Sequence, residues 1–488
     1  MTVKGRDNVA FASPTRGTGV TGFFKDTAAT SPTPTKALPV MTTKKILPMF
    51  AAAVALPLVF AQGCGDDGMQ TSDTADTNDT ASGEEECDSE IEGTIESDTT
   101  WTCGHTLSGV VTVKNGAKLT VDPGVTIKGL NGSALVISKG SQLIAEGTKE
   151  QPIVFTSALA EGSRARGDWG GIVLLGDAKN NLQTGSGIAE GLDAGNPDYA
   201  YGGGEDAYSC GSLKWVRVEY VGFELTKDNE LNGVTFYSCG SGTKVDYLQV
   251  HMGKDDGIEM FGGTWSGKHI VVSGAQDDSV DCDQGYTGSL QHVAIIQDPA
   301  AGNYGFELSN QADNLDAEPR TKPKFVNVTA IGTAAGGEIE TQSAGVRLKE
   351  GVAAEFYNAI FTGFHNAAIE LTEGATETVA TAGGIVFKNN LFFNNSAVDD
   401  GATPYVVGEG STFDLKAFIE DPANNNLIDS DPQLTGLDFT APNFAPADGS
   451  PVRGAGAAPA GFDAADYIGA VGSVEADWTL DWTTWAAN

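Results

Sequence analysis

The chain is poor in positive charge. Its 488 residues carry 29 Lys and Arg against 65 Asp and Glu, a formal net charge of -36. Downstream of Gly63 the imbalance sharpens to 22 basic against 63 acidic residues. A surface of that sign repels phosphate backbones and anionic headgroups. Nucleic-acid binding is therefore excluded as the main role, and cations, or partners carrying them, are the natural ligands. Long apolar runs are also lacking. Ile46 to Phe60 is apolar and uncharged but falls short of the ~20 residues a membrane span needs. Periodic helical signals are scarce, and there is no Gly-x-Ser-x-Gly elbow, phosphate loop or zinc-type spacing. His251, His269 and His292 do not share a register, so no histidine metal site is expected. What is present is Gly, Thr, Asn and Val in short alternating segments, the pattern of many short strands joined by tight turns.

Residues 41–63 read as an export leader. Met41-Thr-Thr-Lys44-Lys45 supplies a cationic start, Ile46–Phe60 the apolar stretch, and Ala61-Gln62-Gly63-Cys64 the small residues before a cysteine. The last four resemble a lipobox, which predicts lipidation of Cys64 and an outer-membrane, surface-exposed lipoprotein. An ordinary leader with Cys64 incidental is the competing reading. Residues 1–40 then read as an upstream extension or a misplaced start. Residues 64–90 are polar and acidic, a tether with little to bury.

Internal repeats decide the fold. Sliding VVTVKNGAKLTV by 24 residues puts Val111 on Leu135, Val113 on Ile137, Gly116 on Gly140 and Leu119 on Leu143. A 22-residue repeat puts Val250 on Val272, Asp255 on Asp277 and Glu259 on Asp281. A 31-residue repeat aligns Phe325-Val-Asn327, Phe356-Tyr-Asn358 and Phe387-Lys-Asn389. Variable periods of this size predict an all-β, single-stranded right-handed parallel β-helix over residues 91–440, with long turn insertions and a C-terminal tail and cap over 441–488. A β-propeller would need blades of ~40–45 residues, which are not found. Stacking every ~4.8 Å turns equivalent residues into columns. Asn327, Asn358 and Asn389 are expected to form an inward asparagine ladder, the alternative being solvent-facing turn residues. Cys210 and Cys239 precede equivalent strands, so neighbouring coils would bring them within disulfide range. Cys87 and Cys103 are expected to clip the tether to the first coil, leaving Cys282 to pack inside.

Several stretches carry a family resemblance: Gly167-Asp-Trp-Gly-Gly-Ile-Val-Leu-Leu-Gly176, Leu213-Lys-Trp-Val-Arg-Val-Glu-Tyr220, Asp228-Asn-Glu-Leu-Asn-Gly233, Gly240-Ser-Gly-Thr-Lys-Val-Asp-Tyr247, Asp255-Asp-Gly-Ile-Glu-Met-Phe-Gly-Gly263 and Ala465-Asp-Tyr-Ile-Gly-Ala470. Over about residues 100–485 the chain resembles secreted β-helix lipoproteins and surface proteins of Gram-negative bacteria. The resemblance implies fold and location. It carries over no catalytic residue, and Cys282 stands where the family pattern has an aromatic residue.

Two regions could hold ligands. In the 22-residue register Asp255, Asp256 and Glu259 stack on Asp277, Asp278 and Asp281, with Asp283 just beyond and Glu307 extending the column. Like charges at that spacing repel by about 1–3 kcal/mol per pair. A hard cation, Ca²⁺, would offset the cost; the alternative is a solvated turn stack whose carboxylates cap backbone N–H groups. The Gly/Asn-rich insertion Asp177–Ser209 brings Tyr199, Tyr201 and Tyr208, which would either stack on sugar rings or pack the insertion onto the wall. Lys254, Arg347 and Lys349 are the basic residues to watch. Gly345-Val-Arg-Leu-Lys349 superficially resembles an element of pectin hydrolases, but the Asn-Thr-Asp and Gly-His-Gly elements of those enzymes are missing. Asp477-Trp-Thr-Leu-Asp-Trp-Thr-Thr-Trp485 is expected to cover the open end of the stack, or else to bind a partner. The expectation is a monomeric, non-catalytic surface protein binding carbohydrate, Ca²⁺ or neighbouring cells. The alternative is a Ca²⁺-dependent polysaccharide lyase or a β-helix glycoside hydrolase.

Overall fold

The alternation of apolar and polar residues makes short strands, and each finds its partner one coil further on. Val110–Val113 pairs in parallel with Ala134–Ile137, putting Val111 on Leu135 and Val113 on Ile137. The computed structural model describes residues 87–226, 229–332, 344–395 and 404–488. The expected leader, Cys64 and nearly all of the tether lie outside the described residues.

The chain winds as a right-handed parallel β-helix. Each coil contributes one stretch to an 11-stranded sheet and two consecutive stretches to a 16-stranded sheet. In early coils those two are separate: Gln142–Glu146 and Ile153–Ser157 pair with successive halves of the single strand Gly211–Glu219. From that coil onward the corner between them shrinks to one residue. Trp215, Tyr247, His269, His292, Asn327, Asn358 and Asn389 occupy it in turn, all left-handed with φ of 52–59°. Asparagine adopts that conformation more readily than most residues, and the three asparagines hold the last three places.

This corner column corrects two sequence readings. His269 and His292 do share a register, their rings stacked with centroids 5.1 Å apart. The turn Gln284–Gly288 is one residue longer than Gly262–Trp265, so the local repeat is 23 residues and a constant 22-residue slide misses the pair. The asparagine column is real but does not face inward. Asn327 Nδ2 donates to the Tyr467 carbonyl at 3.0 Å, and Asn358 Oδ1 accepts from Ala457 N–H at 2.9 Å, both in the C-terminal segment. The amides that bridge coils belong to the next position. Asn390 Oδ1 accepts from Ala359 N–H and its Nδ2 donates to Phe356 O, and Asn426 repeats the pattern toward Asn390 N–H and Phe387 O.

Inside, aliphatic columns give way to aromatic ones. Phe325, Phe356 and Phe387 stack at 4.9 and 5.0 Å, with the first two wholly buried. Cys87–Cys103 and Cys210–Cys239 are disulfides with Cα separations of 5.5 and 5.7 Å, and Cys282 is a free thiol buried in the core.

Stacking ends at Leu427–Ile428. Leu415 and Ile419 of a short helix, Leu415–Ile419, bury into the solenoid core there. The tryptophan segment is therefore not the cap of that end. After a small antiparallel hairpin, Leu434–Gly436 with Asn443–Pro446, the chain runs back along the 16-stranded sheet as a strap. Trp482 packs edge-on against Trp215 and Tyr247, and Trp478 against Tyr247 and His269. The corner rings stack on one another (Trp215 on Tyr247 at 3.6 Å, Tyr247 on His269 at 4.2 Å) and so present a ready apolar surface along the side of the stack.

A candidate cation site on the 11-stranded sheet

The turn leading into this sheet repeats a short polar residue one coil above another. Asn232 Oδ1 accepts from Asp256 N–H at 3.2 Å, Asp256 Oδ1 from Asp278 N–H at 2.9 Å, and Asp278 Oδ1 from Tyr304 N–H at 2.7 Å. Each carboxylate thus caps the backbone of the next coil. Asn232 was not recognised as the first member of this column in the sequence, although its 24-residue offset to Asp256 is legible there.

The strands that follow carry a second column. Thr235, Glu259, Asp281, Glu307, Arg347 and Glu370 are successive register partners. Alternation turns this column away from the core, which takes Met260, Cys282 and Leu308 instead. The two columns converge. One oxygen from each of Asp256, Glu259 and Asp281 lies within 4.8 Å of the others, and the same holds for Asp255, Asp256 and Asp277 and for Asp278, Asp281 and Glu307. Of the eight predicted acidic residues, Asp283 alone joins none of these groups; it accepts from Gln284 N–H.

The middle group is the most withdrawn from solvent. Asp256 is 7% and Asp281 8% exposed, and Asn232 Nδ2 donates to Glu259. Among the described residues Asp281 Oδ1 has no hydrogen-bond partner. Burial, and then the neighbouring negative charges, push the Asp256, Glu259, Asp278 and Asp281 carboxyls well above the usual range. Burial also raises Asp283, to about 6. Beyond Asp281 the charge reverses. Arg347 Nη1 lies 3.1 Å and Lys349 Nζ 2.5 Å from the two oxygens of Glu307. Burial works against the charge on both, but Glu307 outweighs it, and both stay more firmly protonated than usual. Lys254 packs beside Gly167. An oxygen-only donor set with one unsatisfied carboxylate oxygen fits a hard cation.

The tyrosines of the insertion do not form a platform. Tyr199 and Tyr201 are buried, Tyr201 Oη donates to Gln284 Oε1, and Tyr208 Oη accepts from Gly140 N–H. They hold the insertion to the wall, as the packing alternative anticipated.

No curated protein and no solved structure matches the chain. The family profile of the pectate-lyase like beta helix domain matches residues 93–427, which is the stretch of stacked coils. The chain belongs to the pectate-lyase-like β-helix family.

Proposed function

We propose that this chain is an exported, lipid-anchored surface protein that holds Ca²⁺ between Asp256, Glu259 and Asp281 and binds an anionic polysaccharide through it without cleaving it. Family membership supports a carbohydrate-related role. The observation that carries the cation is Asp281. Its carboxylate is buried among other carboxylates, and among the described residues one oxygen has no donor to replace the water it lost. Leaving such a group unpaired is costly, and a divalent ion satisfies it while removing the mutual repulsion. Ca²⁺ accepts a variable number of ligands, so carboxylates of a uronate-type sugar can complete its coordination. The motif at Cys64 supports the lipid anchor.

The basic residues support the non-catalytic reading. A base that abstracts a proton must be neutral near working pH, whereas Arg347 and Lys349 are both committed to Glu307 and held charged. Their place in the row next to the carboxylates favours a lyase as the second reading. Calorimetric titration of the purified chain with Ca²⁺ separates these cases. Saturable binding that Asp281→Asn weakens at least tenfold is expected, with no growth of ultraviolet absorbance on pectate or alginate. Absence of binding at millimolar Ca²⁺ overturns the cation site, and chelator-sensitive absorbance growth overturns the non-catalytic reading.

A further inference from the structure

The chain has five histidines, and three of them lie beneath the C-terminal strap. His251 Nε2 donates to the Ala486 carbonyl at 2.7 Å, and its Nδ1 accepts from the Ser273 hydroxyl at 2.8 Å. His292 Nδ1 donates to the Ala470 carbonyl at 3.2 Å, with its ring between His269 and Tyr467. His269 packs against Trp478 but keeps its Nδ1 on Asp246, at 2.7 Å. His251 is 0% and His292 8% exposed. We propose that the strap is an acid-released cover, latched over the 16-stranded sheet at neutral pH through uncharged His251 and His292 and freed by mild acid to expose that face.

The charged surroundings favour release. Around His251 the body supplies Arg217, Arg166 and Asp298; Arg217 is paired with Glu219 at 2.8 Å and Arg166 with Asp298 at 2.6 Å. The strap offers it only a carbonyl among its hydrogen bonds, no compensating carboxylate. Around His292 the body supplies His269 and Lys268, and the strap supplies Asp463, which is already paired with Lys268. A proton added to either ring therefore has no free counter-charge. Burial, with those cations adding, lowers both rings to about 4. A released histidine returns to about 6.5. The sign follows directly. The hold of the strap is complete above pH ~6.5 and weakens as pH falls toward 4, by up to about tenfold per pH unit for each histidine. His269 finds its polar partner, Asp246, on the body and not on the strap.

The non-titrating contacts set the baseline. Gln249 exchanges two hydrogen bonds with Thr484, Nε2 to O at 2.7 Å and N–H to Oε1 at 2.8 Å. Gln291 does the same with Asp463, both at 2.9 Å. These side-chain amides recognise extended backbone without reference to its side chains. The uncovered face would present them together with the Trp215–Tyr247–His269 stack.

Amide hydrogen exchange of the full chain, corrected for the intrinsic pH dependence, reads the device. Protection across residues 457–486 is expected to fall 100-fold or more between pH 6.5 and 4.5, while the strand Ser266–Ser273 stays protected. His251→Gln with His292→Gln should flatten that fall. Unchanged strap protection, or simultaneous loss in Ser266–Ser273, overturns the proposal. Exchange at the imidazole C2 positions of the wild-type chain gives an independent reading should the double variant fold poorly. Titration of both rings below pH 5 is required, and values near 6.5 overturn the latch.

Discussion

Glu259 and Asp281 are register partners on consecutive coils, two carboxylates one strand spacing apart on the same sheet face. Nothing in the backbone forces this pairing to be acidic. Burial and mutual repulsion raise these carboxyls, so they hold their protons to higher pH than usual, and that has a measurable consequence.

The cluster's share of stability without added cation should fall as pH rises. Asp256, Glu259, Asp278 and Asp281 all have raised carboxyls, and Asp283 is raised to about 6. At these carboxyls the folded state therefore binds more protons than the unfolded chain. Its advantage is full below the usual carboxylate range and is lost as pH climbs through the raised values. Scanning calorimetry in chelator of the His251→Gln, His292→Gln chain, in which the opposing pH dependence of the two strap histidines is removed, should show a higher Tm at pH 5 than at pH 8, and millimolar Ca²⁺ should remove the difference. Asp281→Asn should raise the chelator Tm at pH 8 and abolish the Ca²⁺ response. Tm rising with pH in chelator in that double variant would contradict the buried cluster.

Glu307 is the hinge between the acidic and basic halves of the row. Glu307→Gln leaves Arg347 and Lys349 without the carboxylate that both contact. The pairing is largely shielded from solvent, so a loss of about 1–3 kcal/mol is expected in urea unfolding, between the values for exposed and buried pairs. The double variant Glu307→Gln with Lys349→Met should recover part of it. A single variant as stable as wild type would mean that Glu370, 3.8 Å from Arg347, carries the neutralisation alone.

How much of this was legible depends on distance along the chain. The register of neighbouring coils was open to reading because like residues stack on like: Val111 on Leu135, Glu259 on Asp281 and Phe325 on Phe356 all follow from sliding the sequence. The disulfide Cys210–Cys239 was legible because both cysteines precede paired strands, although the strand register, Ser212 on Lys244, sets them three residues out of step. The relation of His269 to His292 was hidden by one extra turn residue. The direction of the asparagine column was hidden more deeply, since Asn327 finds its partner at Tyr467, 140 residues away on a strap with no repeat of its own. Within the acidic cluster the sequence gives the residues but not their depth. Whether Asp255 or Asp256 turns inward is decided by the corner geometry, and it is Asp256 that caps Asp278 N–H.

The phenylalanine column should govern the later coils. Phe356 contacts Phe325, Phe387, Phe306 and Phe361 and is fully buried. Phe356→Ala removes the centre of this cluster, and the strands on either side are hydrogen-bonded in place and cannot close the gap. A loss of about 3–5 kcal/mol is expected. Phe356→Leu should cost clearly less. Equal losses for the two variants in denaturant unfolding would show that the site relaxes and that ring stacking adds nothing.

The two disulfides should behave differently although both join adjacent coils. Cys210–Cys239 closes 29 residues and is buried in the solenoid core, at the return point of the long insertion from Asp177. Removing it frees the unfolded chain and also loosens the place where that insertion rejoins the wall. Cys210→Ala with Cys239→Ala should cost about 3–4 kcal/mol on the chain-entropy estimate. Cys87–Cys103 closes 16 residues at the first described coil, whose strands Glu90–Ile91 and Thr94–Ile95 have, among the described residues, a neighbour on one side only. Terminal coils of a stacked fold can open without the rest. Cys87→Ala with Cys103→Ala should therefore leave the main unfolding transition in place and raise amide exchange only over about Ser89–Trp101. A matched drop in the main transition for both pairs would mean that the first coil melts together with the whole stack, and that the solenoid unfolds as one cooperative unit from its N-terminal edge.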